Sequence, residues 1–291
     1  MSLLSFFKKY HHQRPPPIPQ SSNYVLIILD SCRYDSFVRA KPKIMSKLGP
    51  IQKRWSYASW TAPSHYNLLL GLLPHQNPRH VFASTVYKEE LESFSYRLNI
   101  PDTKFTDMLP RMWLPNYLRS IGYYTQAIVS MPVLNPATPI AVDFDHYTLL
   151  NTHNNLRKAF PFMHFSEERP TFCLINTGET HYPYAPPDEP ESQWPRIHGL
   201  HGVFRRLQDG NLIDRKFFNF DRLEQLHKRQ IRSLNSVDDA IEELFDILPS
   251  NTFVTITSDH GELFGEGGFF GHGPIQHEKV LEVPFVEGKI R

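Results

Sequence analysis

Cysteine is nearly absent from this chain: Cys32 and Cys173 are the only two in 291 residues, both in apolar, strand-like surroundings. That excludes a disulfide framework and favours a reducing compartment, so a cytoplasmic location is expected. No run of about 18 or more apolar residues occurs, which leaves no candidate transmembrane helix. The start, Met1 to Tyr10, has too short an apolar run for a secretory signal, and its lysines follow that run instead of preceding it. An excess of one charge is missing as well. With 31 Lys+Arg against 30 Asp+Glu the formal charge is +1, so no nucleic-acid groove is expected. Glycine is sparse (14 residues) beside 25 prolines, which predicts long, ordered loops. No internal repeat is visible.

What is present suits one large α/β core, with 40% hydrophobic and 13% aromatic residues. Residues 1–22 read as a flexible, Pro-rich tail, with Arg14 to Pro19 a stiff polyproline spacer, and residues 23–291 as a single domain. Tyr24 to Leu29 is apolar on both faces, the pattern of a central strand in a parallel sheet, and it ends on Asp30. Thr252 to Thr257 repeats the design and ends on Ser258-Asp259-His260-Gly261. Such groups are costly to bury unless a cation or a hydrogen-bonding role accepts them. Ligands of open α/β sheets gather at the carboxyl ends of the strands, so Asp30 and Asp259 meet if these strands are parallel near neighbours. The plainer reading makes Asp30 a helix N-cap and Asp259 a turn cap, with His260 a bystander. Tyr66 and Leu68 to Leu73 predict a buried helix with Pro63 in its first turn. Thr61 at its start is a nucleophile ionised by a metal or simply a cap.

Further along, Lys88 to Asn99 is helical in period, and Pro110 and Pro115 interrupt the stretch Phe105 to Tyr117. Pro183 to Gly210 is read as a long loop covering substrate, and Arg196, Arg205, Arg206 and Arg215 either touch an anion there or are solvated. Apolar residues at Phe220, Leu223, Leu226, Ile231, Leu234, Val237, Ile241, Leu244 and Leu248 predict one amphipathic helix over 217–248.

Six segments taken in order carry a family likeness. Asn23-Tyr-Val-Leu-Ile-Ile-Leu-Asp30-Ser-Cys-Arg33-Tyr-Asp35, Thr61-Ala-Pro-Ser64-His65 with Leu70-Gly71, and Gly122-Tyr-Tyr-Thr come first. Phe144-Asp-His, His181-Tyr-Pro183-Tyr184, and Asp259-His260-Gly261-Glu262 with Gly271-His272-Gly273 and Val283-Pro284-Phe285 follow. Together they resemble the sulfatase branch of the alkaline phosphatase superfamily over nearly the whole chain. The resemblance implies a three-layer α/β/α sandwich with a largely parallel central sheet, without the smaller C-terminal subdomain into which sulfatases usually continue. It implies metal ligands Asp30, Thr61, Asp259 and His260, catalytic residues Thr61, His181, His272 and Arg33, and substrate contacts at His65, His181 and His272. For Arg33 an ordinary salt bridge to Asp35 is an equal alternative.

Two departures shape the expected chemistry. Thr61 stands where formylglycine sulfatases have Cys or Ser, and His65 where they have Arg. Thr is what nucleotide pyrophosphatases and the lipoteichoic-acid and phosphoethanolamine transferases of the superfamily use. A metal-dependent phosphoester hydrolase or phosphotransferase working through a phospho-threonine is therefore expected, on a small anionic substrate. A sulfuric ester hydrolase and an inactive metal- or partner-binding module are the alternatives. Mixed nitrogen and oxygen ligands favour one Zn or Mn ion over Ca or Mg. A second ion on Glu179, His181 and His272 is a weaker expectation, and an oligomer is compatible with everything above.

Overall fold

The structure, a computed structural model, describes residues 17–18, 20–76, 90, 93–101, 113–187, 189–195 and 219–290. A seven-stranded sheet runs through the middle in the order β2-β9-β6-β1-β5-β3-β4. Its strands are β1 (Asn23–Leu29), β2 (Gln52–Trp55), β3 (Tyr124–Val129), β4 (His146–Leu149), β5 (Thr171–Thr177), β6 (Thr252–Thr257) and β9 (Glu282–Lys289). The contiguous group β6-β1-β5-β3-β4 is parallel, and β9 joins it antiparallel to β6. A small antiparallel pair, β7 (Leu263–Phe264) with β8 (Phe270–Gly271), stands apart from this sheet.

Strand β1 shows why the layers number three. All seven of its residues are buried, and successive side chains point to opposite faces. Tyr24, Leu26 and Ile28 enter one core with Leu68 and Leu69 of α2 (Thr61–Leu69) and Leu114, Tyr117 and Leu118 of α3 (Leu114–Ser120). Val25, Ile27 and Leu29 enter the other with Phe37 of α1 (Tyr34–Ala40) and Leu234, Val237, Ile241 and Leu244 of α4 (Phe220–Ile247). A short helix, α5 (Glu278–Leu281), leads into β9.

The predicted amphipathic helix is α4, capped by the Asn219 side chain, which accepts from the Arg222 amide. Phe220 departs from the expected apolar face and is mostly exposed. The helix expected over Leu68 to Leu73 instead ends at Leu69, because Gly71 adopts φ +85° and turns the chain while Leu72 and Leu73 stay buried. At the end of the expected tail, Ser21 and Ser22 are buried and bonded to Ile18 and Leu98. Arg196, Arg205, Arg206 and Arg215, most of Phe105 to Tyr117 and the loop beyond Pro195 lie outside the described residues.

Candidate active site

Parallel register brings the two carboxylates together. Ile28 pairs with Thr257 and Leu29 with Thr177, so β6, β1 and β5 end level, and the residues just past those ends share one edge. The main-chain amide of Ser31 donates to Asp259 Oδ1 at 3.1 Å, and Asn176 Nδ2 at the end of β5 donates to Asp30 Oδ2 at 3.0 Å. Thr180 closes the third side, its hydroxyl donating to the Asp30 carbonyl at 2.7 Å. Asp30 is not a helix cap, since Arg33 occupies that position of α1 and the helix has no side-chain cap.

Asp30, Asp259 and His260 offer ligand atoms that all lie within 4.8 Å of one another, and all three are buried. The Thr61 hydroxyl, at the first turn of α2, lies 3.4 Å from Asp30 Oδ1 and 3.3 Å from His260 Nε2. Four imidazoles surround this centre, each with Nδ1 facing an oxygen. His260 Nδ1 is 2.9 Å from the Gly261 carbonyl, His181 Nδ1 2.8 Å from that of Tyr182, and His65 Nδ1 2.8 Å from that of Thr61. His272 Nδ1 is 2.9 Å from Glu262 Oε1. Because a carbonyl only accepts, Nδ1 of the first three is the donor, and Nε2 is the nitrogen left for other chemistry. The ring of His272 stands 4.2 Å from that of His260 and 5.5 Å from that of His181, centroid to centroid.

The electrostatics fit a cation. Burial and then the negative charge of Asp30 push the Asp259 carboxyl well above its ordinary range. Burial also raises Asp30, but the imidazoles of His181, His260 and His65 more than offset it, and its carboxyl is lowered. Burial and the neighbouring His272 keep His260 neutral, well below the usual imidazole value. Asp259 Oδ2 and His65 Nε2 are buried with no hydrogen-bond partner. Two adjacent carboxylates, a neutral imidazole offering Nε2 and an orphaned carboxylate oxygen are what a divalent ion satisfies.

Other expected residues fall elsewhere. Arg33 is directed away from the centre: Asp35 takes Nε and Nη2 at 2.7 Å each, while Nη1 reaches Glu266 at 2.7 Å and the Glu262 carbonyl at 3.3 Å. The salt-bridge alternative therefore describes it. His65 is fully buried under Thr61, where burial lowers its pKa, so it backs the centre instead of facing substrate. Glu179 supplies no second-metal ligand, because one oxygen accepts from the Leu156 amide at 2.6 Å and the other from the Thr177 hydroxyl. Among the described residues, Asp30, Asp259 and His260 form the one such ligand group.

Sequence reading also missed Asn176, Tyr184 and Gln230. Gln230 Nε2 donates to the carbonyls of Ser31 and Thr180 at 2.9 Å each, tying α4 to the turns behind the site. A glutamine on the apolar face of a long helix was its signal.

Comparison with known proteins bears on the fold and the family. A 65-residue stretch is 38% identical to the Caenorhabditis elegans homolog of extracellular sulfatase Sulf-1, a match spanning 21% of this chain and 9% of that protein. The zinc complex of the C-terminal periplasmic domain of Escherichia coli EptC superposes with a TM-score of 0.54 at 16% identity, covering 96% of this chain and 77% of that one. The soluble domain of lipooligosaccharide phosphoethanolamine transferase A from Neisseria meningitidis gives 0.55 at 12%, covering 94% and 78%. BT4656 in complex with its substrate D-glucosamine-2-N,6-O-disulfate gives 0.57 at 14%, covering 92% and 71%. At these identities the superpositions establish the shared fold. The family model named Sulfatase matches residues 22–286, almost the whole described chain; the chain belongs to the sulfatase family.

Proposed function

We propose that the protein is a metal-dependent phosphoester hydrolase or phosphotransferase in which Thr61 is the nucleophile. The observation that carries this reading is the Thr61 hydroxyl within 3.4 Å of both Asp30 and His260 at the first turn of a helix. A divalent ion on Asp30, Asp259, His260 and the Thr61 oxygen would supply the Lewis acidity that lowers the pKa of that hydroxyl. The mixed donor set suits Zn or Mn better than Ca or Mg, and the zinc in the superposed EptC domain is in keeping with it.

The remaining work falls to side chains. The helix start favours the anionic group, and the Thr61 oxygen bonds to phosphorus as the ester oxygen leaves. His272, whose pKa the Glu262 carboxylate raises against the effect of burial, carries the proton the leaving alcohol needs. His181 offers Nε2 to a non-bridging oxygen from the facing loop. Water or an acceptor alcohol then releases the phosphoryl group from Thr61. The family itself and BT4656 with its disulfated substrate support a second reading, hydrolysis of a sulfuric ester at the same centre.

Elemental analysis of the purified protein, with turnover of mono- and bis-p-nitrophenyl phosphate and of p-nitrophenyl sulfate, tests this. The expected result is Zn or Mn bound, with phosphoester turnover reduced by about 10³-fold or more in Thr61→Ala. Faster turnover of the sulfate ester would transfer the conclusion to the second reading, and a metal-free, inactive protein would remove both.

A further inference from the structure

The Asp30–Thr61–His260 centre leaves a trio beside it, Glu262, His272 and Tyr184, unexplained. Glu262, only 1% exposed, has each carboxylate oxygen on a different side chain. Oε1 meets His272 Nδ1 at 2.9 Å, and Oε2 accepts the Tyr184 hydroxyl at 3.0 Å. Tyr184 is fully buried and held at φ +58°, a backbone region that bulky residues rarely occupy. Backbone of that kind persists only where the surroundings enforce it, and it gathers at functional sites. The ring of Tyr184 is wedged against Phe264 and Tyr182, with centroids 5.4 and 5.9 Å away. Its hydroxyl has therefore little freedom to leave Glu262.

The main chain just after His272 is fixed as well. The Gly273 amide donates to the Ser59 carbonyl at 3.1 Å, and the Ser59 hydroxyl donates to the Gly273 carbonyl. Ser59 lies two residues before Thr61, so this clamp registers the His272 loop against the nucleophile. His272 is thus held at its backbone by the nucleophile's own loop and at its ring by Glu262.

From this geometry we infer that Glu262 is the positioning residue of His272, holding its Nδ1–H so that Nε2 is the nitrogen that gives or takes a proton, with Tyr184 as the anchor of Glu262. The inference rests on the reading of Thr61 as the attacking group. It assigns the last acidic residue of Asp259-His260-Gly261-Glu262 to orienting an acid–base group, as a carboxylate orients the imidazole of a serine-hydrolase triad. Burial alone requires partners on both oxygens of Glu262; what points to positioning is that one partner is an imidazole whose loop is itself clamped to that of Thr61.

The test compares wild type with Glu262→Ala, Glu262→Gln and Tyr184→Phe in the metal-loaded protein, using bis-p-nitrophenyl phosphate and histidine-labelled ¹⁵N spectra at one pH. The His272 resonances are assigned by their absence in His272→Gln. Glu262→Ala is expected to lower kcat about 10²-fold while KM and metal content stay within about threefold, and Glu262→Gln, whose amide can accept from Nδ1 or donate to it, to lose kcat only as far as it loses the Nδ1-protonated form. Tyr184→Phe is expected to lower kcat about threefold to tenfold, the effect of one hydrogen bond removed. At a pH where the ring is neutral, the ¹⁵N spectra should show His272 protonated at Nδ1 in wild type and a mixture of tautomers in Glu262→Ala. Wild-type kcat or an unchanged tautomer in Glu262→Ala overturns the proposal. So does a Glu262→Gln variant whose kcat does not follow its His272 tautomer. Should Glu262→Ala not fold, Glu262→Gln and Tyr184→Phe carry the same comparison. A wild type inactive on every ester defeats the proposed function instead, and the tautomer measurement still decides the role of Glu262.

Discussion

A half-buried imidazole outside the candidate site sets an acid limit on this fold. His227 lies flat against Phe264, ring centroids 4.7 Å and planes 9° apart, with Nε2 2.9 Å from the Ser36 hydroxyl. Burial and then the positive charge of Arg33 lower its pKa to about 4. Because the folded value is depressed below the unfolded one of about 6.5, its contribution is complete above about pH 6.5 and is lost as pH falls toward 4. With the ring partly exposed, solvent screening reduces the effect to about 1–2 kcal/mol. Denaturant unfolding at pH 7 and pH 4.5 should show wild type losing that much more stability than His227→Gln. Equal losses would clear His227 of the effect.

At this same scale the sequence was readable where chemistry and chain position coincide. Asp30, Asp259 and His260 stand just past apolar strands, at the edge where ligands of open α/β sheets gather, and Thr61 opens a helix. Arg33, His65 and Glu179 were less readable because their roles depend on partners distant in sequence. Arg33 turns to Glu266, 233 residues away, and Glu179 takes the amide of Leu156. Spacing carries no information about either contact.

Between strand β6 and helix α5 the packing leaves no room for a side chain at Gly261. Its amide donates to the Val280 carbonyl at 2.6 Å, and a Cβ there would lie 2.2 Å from the Lys279 carbonyl oxygen. Gly261→Ala must therefore push α5 off the strand end and move His260, the preceding residue. The expected cost is about 2 kcal/mol, typical of overpacking, together with weaker metal retention on dialysis. Wild-type stability with full metal content would mean that α5 can move aside. Elements with a strong period or a continuous apolar run, α4, β1 and β6, were legible beforehand. Strand β9 was not, since Val283-Pro284-Phe285 sits inside it and proline argues against a strand with neighbours on both edges. The end of α2 was missed because Leu72 and Leu73 stay buried after the helix stops, so hydrophobicity alone ran on past the turn at Gly71.

For the molecule as a whole, the sequence indicated two parallel strands ending in carboxylates, but the full strand order followed only from the packing. A centre built of mutually repelling, buried carboxylates makes the fold dependent on what neutralises them. Stripping the protein with a chelator should lower the thermal midpoint by roughly 5 °C relative to protein with metal at about 100 times its dissociation constant, and restoring Zn or Mn should reverse it. An unchanged midpoint would mean that no ion is bound at Asp30 and Asp259.

The adjacency of β1 and β6 also has a consequence for biosynthesis. The amide of Ser31 and the carboxylate of Asp259, 228 residues apart, meet across the centre of the sheet. A nascent chain carries Asp30 and Thr61 out of the ribosome long before Asp259 and His260 exist. An ion held by all four would then load only after His260 has been made and β1 has paired with β6.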